Sequence, residues 1–563
     1  SAVRALSFDE DICRYYPYGA LLSQVLGLTT VDSEGQSGLE SRYEDVLRGT
    51  EGSYLRQVDA RNRQLDGTEG WYIPSQQGCG LVLTIDAEIQ EMVEKAMREC
   101  IEVNQAQSVI CLVSDVKTGA ILAMCMNPCY DPNDPPRNHA KTLPELMRLT
   151  AISDVYEPGS TFKILTAASA LDSGVTTPQD SFYCSAKITV DGDTIRCWGR
   201  PHGAETMADG LKNSCNPVFV ELALRMGTDT FYRYLTAFGL GKKTGIDLPG
   251  ESPGILITSR NVKRVDLARI GFGQSVALTP IQMMMAANSV INGGKLMKPY
   301  IVSEIQTPDG ETLERFHPTV MAAPIRPETS DTMRLLLERV VSEGGGKNAA
   351  IAGYRIGGKT GTAQVYKNGR VVRDTHIGSF YGFAPVNDPQ VSILVIVKEA
   401  DVPIDCGGPP AAPFARQIMQ EMLPYLGIEP ENDEKDEEIE VPALKGLTIG
   451  DAKRKLSQVG LESVTDGANT VVLDQLPPAG AKLVKGGHVM LYTAGSEELT
   501  PEELVCVPDL TGLGDVDCAR LVRQRGLMMS MTGQGLCTEQ SPAAGEYVQP
   551  GTTIFLLMAG DDE

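Results

Sequence analysis

No stretch of this 563-residue chain approaches the run of about 18 apolar residues that a bilayer-spanning helix needs, so nothing in it is built to cross a membrane. Cations are in deficit. Against 73 aspartates and glutamates stand 50 lysines and arginines, a formal charge of −23 that argues against nucleic acid and anionic membrane surfaces as partners. The 13 cysteines lack the CxxC spacing of a zinc site. An odd number scattered through so long a chain predicts small buried apolar side chains rather than a disulfide framework. No metal and no cofactor is expected. The chain opens at Ser1 with neither a Met nor a signal-like segment, which predicts a processed or trimmed N-terminus and leaves room for a lost anchor.

What is present is ordinary globular protein. Apolar residues make up 42% and charged residues 22%, and the length predicts about two to four domains. An acidic run, "EPENDEKDEEIE" (429–440), has almost no apolar residues and predicts a solvated linker. Beyond it lies a repeat: "VPALKGLTIGDAKRKLSQVGL" from Val441 aligns with "VPDLTGLGDVDCARLVRQRGL" from Val507, and "QLPPAG" with "QSPAAG". The pattern predicts two βαββ modules, 441–496 and 505–560, each with a short helix beginning near Thr448 or Gly514. Residues 1–80 are loop-rich. From "LVLTIDAEIQEMVEKAM" regular signals begin, with Asp86 as an expected helix N-cap. Two apolar strands, "SVICLVSDV" and "AILAMCM", open the region 81–428. Three more, within "YRIGGKTGTAQVY", "HIGSFYGFAPV" and "VSILVIVKE", close it. Strands at both ends with helices between predict an α+β domain: one antiparallel sheet built from both termini and flanked by helices.

Ser-x-x-Lys occurs at Ser114–Lys117 and at Ser160–Lys163. The first lies on an extended strand, where positions i and i+3 face opposite sides. The second, in "EPGSTFKILTAASAL", follows a Pro-Gly break and opens a helical pattern. Serine and lysine there share one face, and an unprotonated lysine can take the hydroxyl proton. The helix N-terminus offers N–H groups to a developing oxyanion. The bland alternative is a serine cap with a lysine reaching to solvent. Ser-x-Asn also occurs twice. Ser259–Asn261 predicts ordinary helix capping. Ser214–Asn216, in a bend between helical patterns, can relay a proton and hold an amide. Lys-Thr-Gly occurs three times. Lys117–Gly119 lies in a hairpin turn and Lys243–Gly245 in a Gly/Pro-rich loop, whereas Lys359–Gly361 lies in a strand signal. There Gly361 would let a ligand backbone approach, and an edge strand could pair with an extended peptide.

Ser160-x-x-Lys163, Ser214-x-Asn216 and Lys359-Thr360-Gly361, in that order, match the motif set of penicillin-binding proteins and class A β-lactamases. With "EPGSTFK", "NSCNP", "GFGQSVALTP" and "GGKTGTAQ" the chain closely resembles class B penicillin-binding proteins. Its early "RYYPYGALLSQVLG" and "GLESRYEDVL" resemble part of that family's pedestal, and the repeats are similar to PASTA domains. "TIRCWGRPHGAETMADGLKNSCNP" most resembles the sporulation branch. The resemblance implies a β-lactamase-like transpeptidase fold. It implies Ser160 as the acylated nucleophile, Lys163 as its base, Ser214 as proton shuttle, Asn216 on the acyl amide and Lys359 completing the electrostatics. Thr360 and Thr362 would meet the substrate carboxylate, and the backbone N–H groups of Ser160 and Thr362 would form the oxyanion hole. The expected reaction is acyl transfer from the D-Ala-D-Ala end of a peptidoglycan stem peptide to an amine on a neighbouring strand. β-Lactam antibiotics would be covalent inhibitors and a SEDS-family glycan polymerase a partner. The expected place is the outer face of a Gram-positive-type membrane, through an N-terminal helix absent from this chain.

Other readings stay open. A β-lactamase would need a carboxylate that activates water, and none stands out. A D,D-carboxypeptidase differs only in its acceptor, and a non-turnover sensor would be acylated once. Cys197 and Cys215 could meet if the "RCWGRPHG" loop folds over the cleft, forming a disulfide that ties activity to redox state. Cys184 is a competing partner, and Cys215 could equally be a small side chain filling space.

Overall fold

The computed structural model describes residues 13–50, 52–55, 71–138, 141–199, 201–367, 370–402, 405, 407–430, 438–465, 471–484, 486–493 and shorter runs within 505–559. Residues 431–437 of the acidic run, and Arg200 in the "RCWGRPHG" loop, lie outside the described residues.

The central sheet has five strands, all antiparallel: β1 (Ser108–Asp115), β2 (Ile121–Asn127), β3 (Gly357–Lys367), β4 (Arg370–Ala384) and β5 (Val391–Lys398), in the order β3-β4-β5-β1-β2. Chain ends thus meet where β5 pairs with β1, Val391 opposite Asp115 through Lys398 opposite Ser108. The expectation of one sheet drawn from both ends of the region holds. Strand periodicity explains its unbroken apolar runs, because both faces are covered. Ile110, Leu112, Tyr381, Phe383, Leu394 and Ile396 enter one core. With them pack α2 (Lys163–Asp172), α3 (Asn216–Ala237) and the wholly buried α4 (Pro280–Ile291). Val109, Cys111, Val113, Phe380, Ile393, Val395 and Val397, one position out of phase, enter a second core with α1 (Ala87–Asn104) and α6 (Ala412–Tyr425). Helix α5 (Pro327–Ser342) packs beside β3. Asp86 caps α1 as expected, its carboxylate accepting from Glu88 N and Ile89 N at 3.0 and 3.1 Å.

The chain divides into two compact units, residues 1–493 and 494–563. Each holds one C-terminal repeat, and both repeats build the same three-stranded sheet. In the first, Glu462–Thr465 runs parallel and Val472–Leu476 antiparallel to His488–Thr493. In the second, Met528–Gly533 and Leu536–Ser541 flank Thr553–Ala559 in the same way. The helix of the first repeat is Ile449–Gln458, capped by Thr448. The recurring glutamine has a physical role. Gln475 Oε1 accepts from Leu444 N at 2.7 Å while its Nε2 donates to Pro442 O at 3.0 Å. Gln540 does the same with Leu510 N and Pro508 O at 2.7 and 3.0 Å. The acidic run is not linker throughout: Glu438–Glu440 forms a strand against Lys482–Val484. The first repeat also touches the sheet-bearing region, where Arg416 on α6 donates to Lys482 O and Lys347 pairs with Glu462 at 3.8 Å. Among the described residues no helix is long and apolar enough to cross a membrane.

Gln475 is buried, so Gln475→Ala leaves the Leu444 amide without its acceptor, a loss of about 1–3 kcal/mol. Hydrogen exchange across 441–493 is expected to accelerate about tenfold or more in that variant, with exchange in β1 and β5 unchanged. Equal protection would show that the amide clamp does not hold the repeat.

Candidate active site

Ser160 sits in a single 3-10 turn, Gly159–Phe162, that runs directly into α2 at Lys163. Residues i and i+3 eclipse in such a turn, so the serine and the lysine share a face. Glycines hold the turn against the sheet edge. Gly159 has φ +55°, and a Cβ there would stand 1.9 Å from Thr362 O. Its N–H donates to Gly273 O at 3.0 Å, and a Cβ on Gly273 would in turn stand 2.0 Å from Gly159 O. The "GFGQS" segment therefore braces the serine turn from behind. Glu157 adds to it by accepting Ser275 N at 2.9 Å.

Lys163 is fully buried, which rules out the lysine that reaches to solvent, and the N-cap of the turn is Pro158 rather than Ser160. The ammonium donates to Ser214 O at 2.6 Å, Asn216 Oδ1 at 2.7 Å and Ser214 Oγ at 3.2 Å, and lies 5.3 Å from the Phe219 ring centroid. Among the described residues the Ser160 hydroxyl has no hydrogen bond to it. Asn216 Nδ2 donates to Arg196 O at 3.0 Å, which fixes the amide with its oxygen toward Lys163. Ser214 has φ +56°, a left-handed conformation that costs a non-glycine residue about 1–3 kcal/mol. The turn brings both its carbonyl and its hydroxyl onto Lys163.

Lys359, on β3, is the second buried lysine. Its Nζ donates to Ser214 Oγ and to Thr360 O, each at 3.0 Å. The Ser214 hydroxyl is thus held between two lysines. Burial pushes the Lys163 ammonium down from the usual lysine range to about 7, with Cys215, Cys197 and Glu205 pulling the other way. Burial, then the nearby Lys163 charge, pushes Lys359 well down too.

Strand β3 is the sheet edge. Lys359 and Gly361 pair with Tyr381 and Ser379, Thr360 and Thr362 with Phe380 and Gly378, so the two sets face opposite sides. Gly361 does not clear space for a ligand as the sequence suggested. A Cβ there would lie 2.4 Å from Ser379 Oγ, 2.9 Å from Thr161 Cγ2 and 3.0 Å from Pro158 O. Glycine is needed because the serine turn packs onto it. On the other side Thr362 Oγ1 accepts from Gly407 N at 2.7 Å, keeping its own proton to donate. The remaining motif copies are elsewhere. Asp115 ties the Lys117–Gly119 turn through Lys117 N and Thr118 N, and Lys117 pairs with Asp388. Glu251 ties Thr244 and Gly245. Ser259 and Asn261 cap no helix, since the next one begins at Arg264 with Lys263 as its N-cap.

The penicillin-binding protein transpeptidase domain family matches residues 109–420. The penicillin-binding protein dimerisation domain family matches 1–83, and the PASTA domain family 439–495 and 505–560. Stage V sporulation protein D of Bacillus subtilis is 38% identical over 504 residues, covering 87% of this chain and 77% of that protein. This chain belongs to the class B penicillin-binding proteins, the peptidoglycan D,D-transpeptidases. Peptidoglycan D,D-transpeptidase FtsI of Escherichia coli is 30% identical over 423 residues, 75% of this chain and 69% of its own length. A crystal structure of penicillin binding protein 3 from Mycobacterium tuberculosis, complexed with ampicillin, is similar at a TM-score of 0.67 and 28% identity, covering 75% of this chain and 91% of that one.

The transpeptidase also carries a cluster of which the sequence suggested the cysteines but not the histidine. Cys197 and Cys215 do approach each other, both as free thiols, and Cys184 and His202 join them, the four ligand atoms all lying within 4.8 Å of one another. The contact with Cys215 holds the Cys197 thiol down at about 5, helped by the Asn216 backbone, His202 and Lys163, while burial opposes. The same contact, with burial, pushes Cys215 up. The expectation of no metal rested on sequence spacing alone, and this cluster reopens it.

Gly159→Ala drives a Cβ into the Thr362 carbonyl and displaces the serine turn. A shift of about 1 Å at a reacting group can cost about 100-fold. A loss of that size in kcat/KM on a stem-peptide substrate is expected, with the circular dichroism spectrum retained. An unchanged kcat/KM would mean that this contact does not set the turn.

Proposed function

We propose that this transpeptidase works through an acyl-enzyme on Ser160. Ser160 Oγ attacks the carbonyl of the D-Ala-D-Ala peptide bond and its proton passes to the unprotonated Lys163. The tetrahedral intermediate collapses, the C–N bond breaks, and the departing D-alanine amine takes a proton relayed through the Ser214 hydroxyl. An amine of a neighbouring stem peptide then attacks the ester, forms the cross-link and returns the proton to the serine. Asn216 holds the acyl amide, Lys359 stabilises the developing charge, and Thr360 and Thr362 receive the substrate carboxylate. The backbone N–H groups of Ser160 and Thr362 hold the oxyanion. The observation that carries this reading is the pair of buried lysines meeting on one serine hydroxyl, a single turn from a second serine packed against the sheet edge. Edge strand β3 offers backbone pairing to an extended stem peptide. β-Lactams would acylate Ser160 by ring opening, with no leaving group released.

The 38% identity to a stage V sporulation protein D supports a role in wall synthesis during sporulation, at the outer face of the membrane of a Gram-positive-type bacterium. Division wall synthesis is the second reading, supported by the 30% identity to FtsI.

Intact-mass measurement after incubation with a penicillin is expected to show one stable adduct on the wild type and none on Ser160→Ala. An adduct on the variant would contradict the assignment. The acylation rate follows the neutral fraction of Lys163, which rises with pH. It is therefore expected to climb about tenfold per pH unit below about 7 and level off above. Burial sets this titration first, with Cys215, Cys197 and Glu205 opposing it. A rate flat from pH 5 to 7 would contradict Lys163 as base.

A further inference from the structure

Beside the catalytic groups lies the sulfur-rich cluster that the acyl chemistry does not use. Four segments build it. Strand 181–184 ends at Cys184, which pairs with Gly203 on strand 203–206. The hairpin of Lys187–Val190 and Asp193–Arg196 returns the chain beside its start, where Cys197 N donates to Ala186 O at 2.8 Å. His202 immediately precedes Gly203. Cys215 is the N-cap of α3, its N–H bound to Gly210 O at 2.8 Å. Three sulfurs and one imidazole nitrogen thereby come within 4.8 Å of one another, Cys184 and Cys215 buried, Cys197 and His202 half-buried.

Their chemistry and spacing suit a tetrahedral ion. Zn–S bonds of about 2.3 Å place tetrahedral sulfurs about 3.8 Å apart, and Cys197 Sγ lies 3.8 Å from His202 Nδ1. Three thiols with one imidazole form a donor set that favours zinc over hard cations. A second observation also calls for positive charge. Glu205 is buried, its Oε1 makes no hydrogen bond, and that oxygen stands 3.7 Å from His202 Nδ1. Its other oxygen is held by Asn213 Nδ2 at 3.1 Å. A buried carboxylate oxygen without a donor is costly. An ion held among these four atoms would set positive charge beside that oxygen.

We propose that Cys184, Cys197, His202 and Cys215 bind one zinc-class divalent ion. Each thiol releases its proton to solvent as its sulfur–metal bond forms. Four protein ligands leave no open position, so the ion is structural. Cys215 lies between Ser214 and Asn216, and the ion therefore pins the segment that holds Lys163. The three cysteines and His202 act as positioning residues. A Cys197–Cys215 disulfide would use two of the same sulfurs and excludes the ion.

The full chain, purified under reducing conditions, loaded with Zn2+ and dialysed, is analysed for bound metal by mass spectrometry. One zinc per chain is expected in the wild type and in Cys518→Ser, whose thiol lies in the second repeat, with a loss of tenfold or more in Cys184→Ser and in Cys197→Ser. Titrating the reduced wild type with Co2+ avoids any folding defect of the variants. It should give the thiolate-to-cobalt and ligand-field bands of a tetrahedral site. Absent bands, a wild type without zinc, or variants that keep it would each overturn the proposal, as would non-reducing peptide mapping that finds Cys197 and Cys215 joined in that same preparation. Penicillin adduct formation, followed on the same samples, reports on Ser160 separately, so a failed metal site and a failed nucleophile give different results.

Discussion

Two ammonium groups share one hydroxyl at the centre of this protein, and both are shut away from water. Lys163 comes from the start of α2 and Lys359 from the edge strand, and each donates to Ser214 Oγ. Two positive charges bound to one oxygen lie no more than about 6 Å apart and repel by about 3 kcal/mol or more at an effective dielectric of about 20, in addition to the cost of removing each from solvent. The arrangement is tolerable only if the pair sheds a proton near neutral pH. A neutral amine is what the proposed role of Lys163 as base requires, and the fold has to hold the lysines there against the cost of burial.

Close backbone contact does the holding. Gly159 touches Thr362, Gly273 touches Gly159, and Gly361 leaves room for Thr161 and Ser379. Each contact would be lost to a single methyl group. Together they fasten three distant stretches of chain, so the serine turn cannot move relative to the Lys-Thr-Gly strand. The strained Ser214, with φ +56°, is paid for by this packing and by the bond its carbonyl accepts from Lys163. Residues from both ends of the region reach the site because the sheet itself closes where β5 meets β1.

Much of this was legible in the sequence because it depends on local pattern. Strands β1, β2 and β5 announced themselves as apolar runs, whereas β3 and β4 carried a mixed strand signal. Pro158 and Gly159 marked the break before the serine turn, and context alone separated the third Lys-Thr-Gly from its copies. What depends on contacts between remote residues was not legible. Nothing local shows that Lys163 is tied to Ser214 and Asn216 rather than to Ser160, or that Gly361 serves the serine turn rather than a ligand. The sequence raised a meeting of Cys197 with Cys215 or Cys184, but not that all three join His202 where two short β-ribbons fold back beside the N-cap of α3. The strand at 438–440 was hidden by its charge, since it gains its partner from 482–484.

The central claim is that the lysine pair carries fewer than two positive charges at neutral pH. NMR of the protein labelled at lysine Cε tests it directly. At pH 8 at least one lysine signal should already report a neutral amine, and that signal should disappear in Lys163→Ala or Lys359→Ala. If every lysine signal instead titrates together near pH 10, the ordinary range, both buried ammoniums are charged and the account of the base is contradicted.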